Sequence, residues 1–135
     1  FCNIQRICMK IIKLASALAA TFFSAVAFAG SVVPFDQKAF DERIKSNEPV
    51  IISVRAPWCP VCKVQVPIED ALMNTGAFKN VTLMTVDFDS QKALLKEFNV
   101  SMQSTIIVYK NGKELGRSVG DKNKASIEAL MDKAI

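Results

Sequence analysis

Histidine is absent from all 135 residues. That excludes imidazole catalysis and every histidine-containing metal site. Cysteine is sparse: of four in the chain, only Cys59 and Cys62 lie beyond residue 29. A structural zinc site takes four ligands, so this pair would need carboxylates or a second subunit to complete one. Proline stops at Pro67, so no later turn or cis bond can rest on it. Positive charge is scarcer than the formal net of +4 suggests. Arg6, Lys10 and Lys13 are the only charges before Gly30, and without them 14 basic residues face 13 acidic ones. No basic patch remains to argue for nucleic acid. Repeats and low-complexity stretches are also missing.

What is present begins with a leader pattern. Met9-Lys10 and Lys13 supply a positive start, Leu14 to Phe28 an apolar and small-residue stretch, and Ala27-Phe28-Ala29 a small-residue cleavage pattern before Gly30. Residues 9–29 are therefore expected to be a secretory signal peptide, 1–8 an upstream extension, and 30–135 a single folded domain. The alternative is an uncleaved N-terminal membrane anchor facing the periplasm. Cys2 and Cys8 would leave with the leader. Export places the remaining cysteine pair in an oxidising compartment, where it forms a disulfide or a redox couple.

From Gly30 onward, strand and helix patterns alternate. Ser31 to Pro34 reads as a short strand. Asp36 can cap a helix to about Ser46, with Phe40 and Ile44 on one face. Val50 to Val54 is a buried strand. Val61, Val64, Ile68 and Leu72 recur at helical spacing around Pro67, which should kink that helix. Val81 to Phe88 is a strand and Gln91 to Phe98 a short helix, with Leu94 and Phe98 facing inward. Thr105 to Lys110 and Lys113 to Val119 form a hairpin about Asn111-Gly112. Ile127, Leu130, Met131 and Ala134 mark a last helix. The order β-α-β-α-β-α-β-β-α implies an α/β fold, a central mixed β-sheet flanked by helices on both faces.

Trp58-Cys59-Pro60-Val61-Cys62 carries the chemistry. A strand delivers Cys59 to the surface, and the following helix start offers its thiolate free N–H groups and partial positive charge. A lowered thiol pKa makes Cys59 a nucleophile and a good leaving group. Cys62, one turn on, can then attack the mixed disulfide. A purely structural disulfide across so short a loop would stabilise little. Pro60 suits the first helical turn. Val61 offers the thiolate neither charge nor hydrogen bond. Arg55 and Lys63 either favour the thiolate or are ordinary solvated charges. Asp87, Asp89 and Glu97 read as solvated carboxylates.

The element order, with W-C-x-x-C after the second strand, resembles the thioredoxin family over Ser31 to Ile135. Pro67 stands five residues past Cys62, Thr105 opens the fourth strand, and Lys110-Asn111-Gly112 and Gly120 match the hairpin and the glycine before the last helix. The resemblance implies a thioredoxin fold and thiol–disulfide oxidoreductase activity. Cys59 would be the attacking thiol and Cys62 the resolving one, with Trp58, Pro60, Val61, Gln103, Ser104 and Thr105 forming the surrounding surface.

Three departures stand out. Ser104 occupies the cis-proline position, so the Gln103–Ser104 bond is expected trans, and the Ser104 hydroxyl either donates to the Cys59 thiolate or faces water. Ser53 replaces a buried aspartate and Thr85 its lysine. They would form a buried polar pair whose hydroxyls bond each other or nearby backbone, leaving Cys62 to exchange protons with water or substrate. No cofactor is implied. The partners implied are disulfide-bearing exported proteins and a membrane or periplasmic dithiol electron partner, for a periplasmic monomer. The expected reaction is reduction or exchange of disulfides. Alternatives are a disulfide oxidase or isomerase, a non-catalytic interaction module, and a dimer binding metal or an iron–sulfur cluster through paired cysteines.

Overall fold

The structure, a computed structural model, describes residues 29–135. The expected leader up to Phe28, with Cys2 and Cys8, lies outside these residues. The elements follow the expected order: β1 (Ser31–Pro34), α1 (Gln37–Lys45), β2 (Val50–Arg55), α2 (Pro60–Met73), β3 (Thr82–Asp87), α3 (Lys92–Glu97), β4 (Thr105–Lys110), β5 (Lys113–Val119) and α4 (Lys124–Met131). Short 3-10 turns at Gly76–Phe78 and Asp132–Ala134 follow α2 and α4.

The five strands form one mixed sheet in the order β1-β3-β2-β4-β5. β3 runs parallel to β1 and β2, while β4 is antiparallel to both β2 and β5. Side chains alternate across the pleat, and this splits the core in two. Ile51, Leu83, Ile106 and Val108 pack with Leu72, Met73, Ile127 and Met131 from the α2 and α4 side. Ile52, Val54, Met84, Val86 and Ile107 pack with Phe40, Leu95 and Phe98 from the α1 and α3 side. Every buried strand therefore reads as nearly continuous apolar sequence. Ser53 is the polar break in β2, and it lies on the α2 side.

Local signals explain the ends of the elements. The Asp36 carboxylate accepts from Ala39 N at 2.8 Å and caps α1. Asn123 caps α4 through Ser126 N. Asn111 and Gly112 both have positive φ, 54° and 73°, as the tight hairpin between β4 and β5 requires.

Helix α2 departs from its expected pattern. Its buried stripe is Cys62, Gln65, Glu69, Leu72 and Met73. Val64 is 45% exposed, and Val61 and Ile68 are half-buried. In α3, Leu94 packs half-buried against the core as expected, and Leu95 is buried beside Phe98. The consequence for α2 is functional, because the stripe that meets the sheet below the cysteines is polar.

Candidate active site

Strand β2 ends at Arg55, and Ala56, Pro57 and Trp58 turn the chain into α2. Cys59 is the N-cap of that helix, with extended backbone. Its Sγ accepts a hydrogen bond from Cys62 N at 3.1 Å. Pro60 takes the first helical position, where a missing N–H costs nothing. Cys59 and Cys62 form a disulfide, with Cα atoms 5.3 Å apart. When the bond is reduced, the helix start offers the Cys59 sulfur an N–H donor and the positive end of the helix dipole, both of which favour thiolate.

One expectation fails here. Cys59 does not lie at the surface: it is 0% exposed and Cys62 4%. Both pack with Ala56, while Val61, Val66 and Phe88 close over them. The exposed group of the motif is Trp58, at 54%. Its indole is held, since Nε1 donates to Asp89 Oδ2 at 2.8 Å and the ring meets Phe88 edge-on. Asp89, expected to be merely solvated, thus fixes the tryptophan.

The Gln103–Ser104 bond is trans, since the described residues contain no cis peptide. Ser104 takes a left-handed conformation, φ 56°, which is uncommon for a residue with a side chain. Its N–H donates to Val54 O at 2.9 Å, a bond that proline could not make. The hydroxyl neither reaches the Cys59 sulfur nor faces water: it donates to Gln103 O at 2.5 Å, and Ser104 is buried. Thr105 likewise donates to Met102 O. The Gln103 carbonyl is therefore occupied from within. Gln65, which sequence reasoning missed, ties this loop to α2. Its Nε2 donates to Asp121 O at 3.1 Å and, at greater length, to Ser104 O at 3.4 Å.

Ser53 and Thr85 sit opposite each other in register, but they form no pair. Thr85 Oγ1 reaches back to Val33 O at 3.5 Å. Ser53 Oγ donates to Glu69 Oε2 at 2.6 Å and accepts from Arg55 Nε at 3.0 Å. Arg55 Nη2 donates to Glu69 Oε2 at 2.7 Å and to Asp70 Oδ1 at 3.2 Å. So Arg55 serves neither of its expected roles, as a thiolate-stabilising or a freely solvated charge; it clamps a carboxylate. Glu69 is 0% exposed, and its Oε1 has no partner. Burial pushes its carboxyl above the ordinary range, against the lowering effect of Arg55 and the bonds from Ser53 and Arg55. The sequence did carry a signal for Gln65 and Glu69. They fall three and seven residues past Cys62, on the stripe that also holds Leu72.

A cavity of about 440 Å³ opens beside Cys62. Arg55, Lys63, Val66, Thr85 and Asp87 are among its walls. Asp87 is held below the ordinary carboxylate range by the backbone N–H and hydroxyl of Ser90. Among the described residues, no three cysteine, aspartate or glutamate side chains converge as a metal cluster.

A disulfide across the first turn of a helix, launched from the C-terminal end of a central strand, defines a protein of dithiol–disulfide exchange. The thioredoxin family model matches residues 31–133, and the chain belongs to the thioredoxin family, whose members are thiol–disulfide oxidoreductases. It is 38% identical over 97 residues to a thioredoxin of Chlamydia trachomatis, covering 72% of this chain and 92% of that protein. It is 32% identical over 110 residues to a protein disulfide-isomerase of Humicola insolens, covering 82% of this chain and 22% of the larger protein. Among solved structures, the crystal structure of Trxlp from Edwardsiella tarda matches with a TM-score of 0.72 and 40% identity, over 75% of this chain and 98% of that one.

Proposed function

We propose that the chain is an exported, periplasmic oxidoreductase that reduces or exchanges disulfides of other exported proteins. Cys59 is the attacking thiol and Cys62 the resolving thiol. The observation that carries this reading is the 3.1 Å bond from Cys62 N to Cys59 Sγ at the start of α2, where a thiolate is favoured. In the reduced enzyme the Cys59 thiolate attacks a substrate disulfide and expels one substrate sulfur. The Cys62 thiolate then attacks Cys59 Sγ, closing the Cys59–Cys62 bond and releasing the second sulfur. A dithiol partner, membrane-bound or periplasmic, returns the two electrons. Trp58 and Met102, 54% and 50% exposed, give a substrate an apolar surface near the motif. Export rests on the leader pattern of residues 9–29.

The complete burial of Cys59 favours a second reading: a partner-binding module whose disulfide stays oxidised. Insulin reduction by dithiothreitol separates the two. The first reading expects the protein to accelerate insulin precipitation at micromolar concentration. A rate equal to dithiothreitol alone would overturn it and leave the binding module.

A further inference from the structure

The two sulfurs of the disulfide differ in access. Cys59 is 0% exposed, while Cys62 keeps 4%. Cys62 is also a wall of the cavity of about 440 Å³, and Cys59 is not. Sites for small molecules run from about 300 to about 1,000 Å³, so this one has room for such a visitor. A molecule seated there meets the disulfide at Cys62.

The leaving group points the same way. A thiolate attacks a disulfide faster where access is open and where the expelled thiol has the lower pKa. Attack on Cys62 expels Cys59, which keeps the Cys62 N–H at 3.1 Å and the positive end of α2. Attack on Cys59 would expel Cys62, which lies inside the helix and lacks the N-cap position. The walls then set the chemistry of the visitor. Ala56, Val66 and Val86 are apolar. Arg55 is committed to Glu69 and Asp70. Lys63 has no ion pair among the described residues. Asp87 is held ionised by the N–H and hydroxyl of Ser90. An available ammonium and an available carboxylate suit a ligand that carries one of each.

We propose that the cavity is the entry site for a low-molecular-weight thiol of amino-acid or short-peptide type, which opens the Cys59–Cys62 disulfide by attacking Cys62 rather than Cys59. The proposal rests on the pair being a redox couple, and it adds a small-thiol route to the return of electrons by a dithiol partner. In the first step the small thiolate attacks Cys62 Sγ. A bond forms between those two sulfurs, the Cys59–Cys62 bond breaks, and Cys59 leaves with the electron pair as thiolate. A second small thiolate then attacks the sulfur of the first. Their disulfide forms, and Cys62 leaves as thiolate and takes a proton from solvent. Two small thiols are oxidised to one disulfide, and the enzyme disulfide is reduced to the dithiol.

The test uses the unaltered oxidised protein with cysteine as the probe. Samples are quenched within seconds by excess N-ethylmaleimide. Trypsin releases residues 56–63 as one peptide, and its fragmentation between the two cysteines locates the adduct. At the earliest times the added cysteine is expected on Cys62 and the maleimide on Cys59, in roughly tenfold excess over the reverse arrangement. Equal labelling, or a majority of the added cysteine on Cys59, would overturn the proposal and leave the redox couple standing. No adduct on either residue, with cysteine or with 2-mercaptoethanol, would reject the couple and the proposal together. Lys63→Gln tests the wall, with opening followed by the fluorescence of Trp58, the only tryptophan of the chain. Opening by 3-mercaptopropionate, whose charge is a carboxylate, is expected to slow about threefold to fivefold relative to opening by neutral 2-mercaptoethanol. An equal change for both thiols would overturn the cavity as the entry site.

Discussion

Replacing Cys59 by serine is expected to abolish disulfide turnover, while replacing Cys62 by serine converts the enzyme into a trap. The asymmetry follows from the helix start. Cys59 is the group that accepts the Cys62 N–H and sits at the positive end of α2. A serine hydroxyl there does not ionise in the working range and is no nucleophile toward sulfur. With Cys62 replaced, the first attack still proceeds, but nothing within reach displaces the substrate. Non-reducing gels and intact mass should then show one substrate chain linked to Cys59. Insulin turnover should fall to the uncatalysed rate in both variants, and the linked species should appear only in Cys62→Ser. Turnover retained by Cys59→Ser would remove the basis of the mechanism.

The second large effect is on stability. Arg55→Leu removes the only cation that bonds Glu69 among the described residues. Breaking one side of a buried pair costs about 3–5 kcal/mol, because the other charge stays buried. The cost has a pH signature. The Glu69 carboxyl already lies above its ordinary value in the folded state, owing first to burial. Without Arg55 it lies higher still. The folded variant therefore binds a proton over a wider range than the unfolded chain, and its stability falls as pH rises through that range. As pH falls and Glu69 takes up its proton, the deficit shrinks. Asp87 and Asp121, both lowered by local hydrogen bonds, act in the opposite direction, but they do so in parent and variant alike and cancel in the difference. Urea unfolding near about pH 5 and about pH 8 should show a deficit of roughly 3 kcal/mol at the higher pH and a smaller one at the lower. Equal deficits at both would mean that Glu69 bears no charge needing Arg55. Glu69→Leu should cost less than Arg55→Leu, since Arg55 keeps Asp70 and solvent.

The sheet and its helices were legible because their signals are local and redundant. The apolar runs of β2 and β4, the Asp36 cap and Asn111-Gly112 each mark their own element. The cysteine pair was legible from spacing alone. The polar half of the site was not. Leu72 is buried and Val61 and Ile68 pack at the margin of the core as their period suggests, but Gln65 and Glu69 share nearly the same helical period, and a reading that places only apolar residues inward passes over them. Glu69 becomes acceptable in the interior only because Arg55 and Ser53 arrive from β2, fourteen and sixteen residues earlier. A strand-to-helix contact of that kind has no periodic signature. The Ser104 loop is similar. Its trans bond followed from the lack of proline, but the destination of its hydroxyl depended on a left-handed backbone that only the folded loop reveals. The burial of Cys59 depended on Phe88, which meets it from beyond β3, together with Val66 on its own helix.

The central claim, that Cys59 and Cys62 form a working redox couple, is tested most directly by their reduction potential, measured by equilibration against glutathione and dithiothreitol. About 30 mV shifts the equilibrium tenfold, so a coarse value suffices. The account predicts reversible equilibration at a potential near about −270 mV, where family reductants lie. A potential below about −300 mV, the range of structural disulfides, or a pair that fails to equilibrate with either buffer, would contradict it.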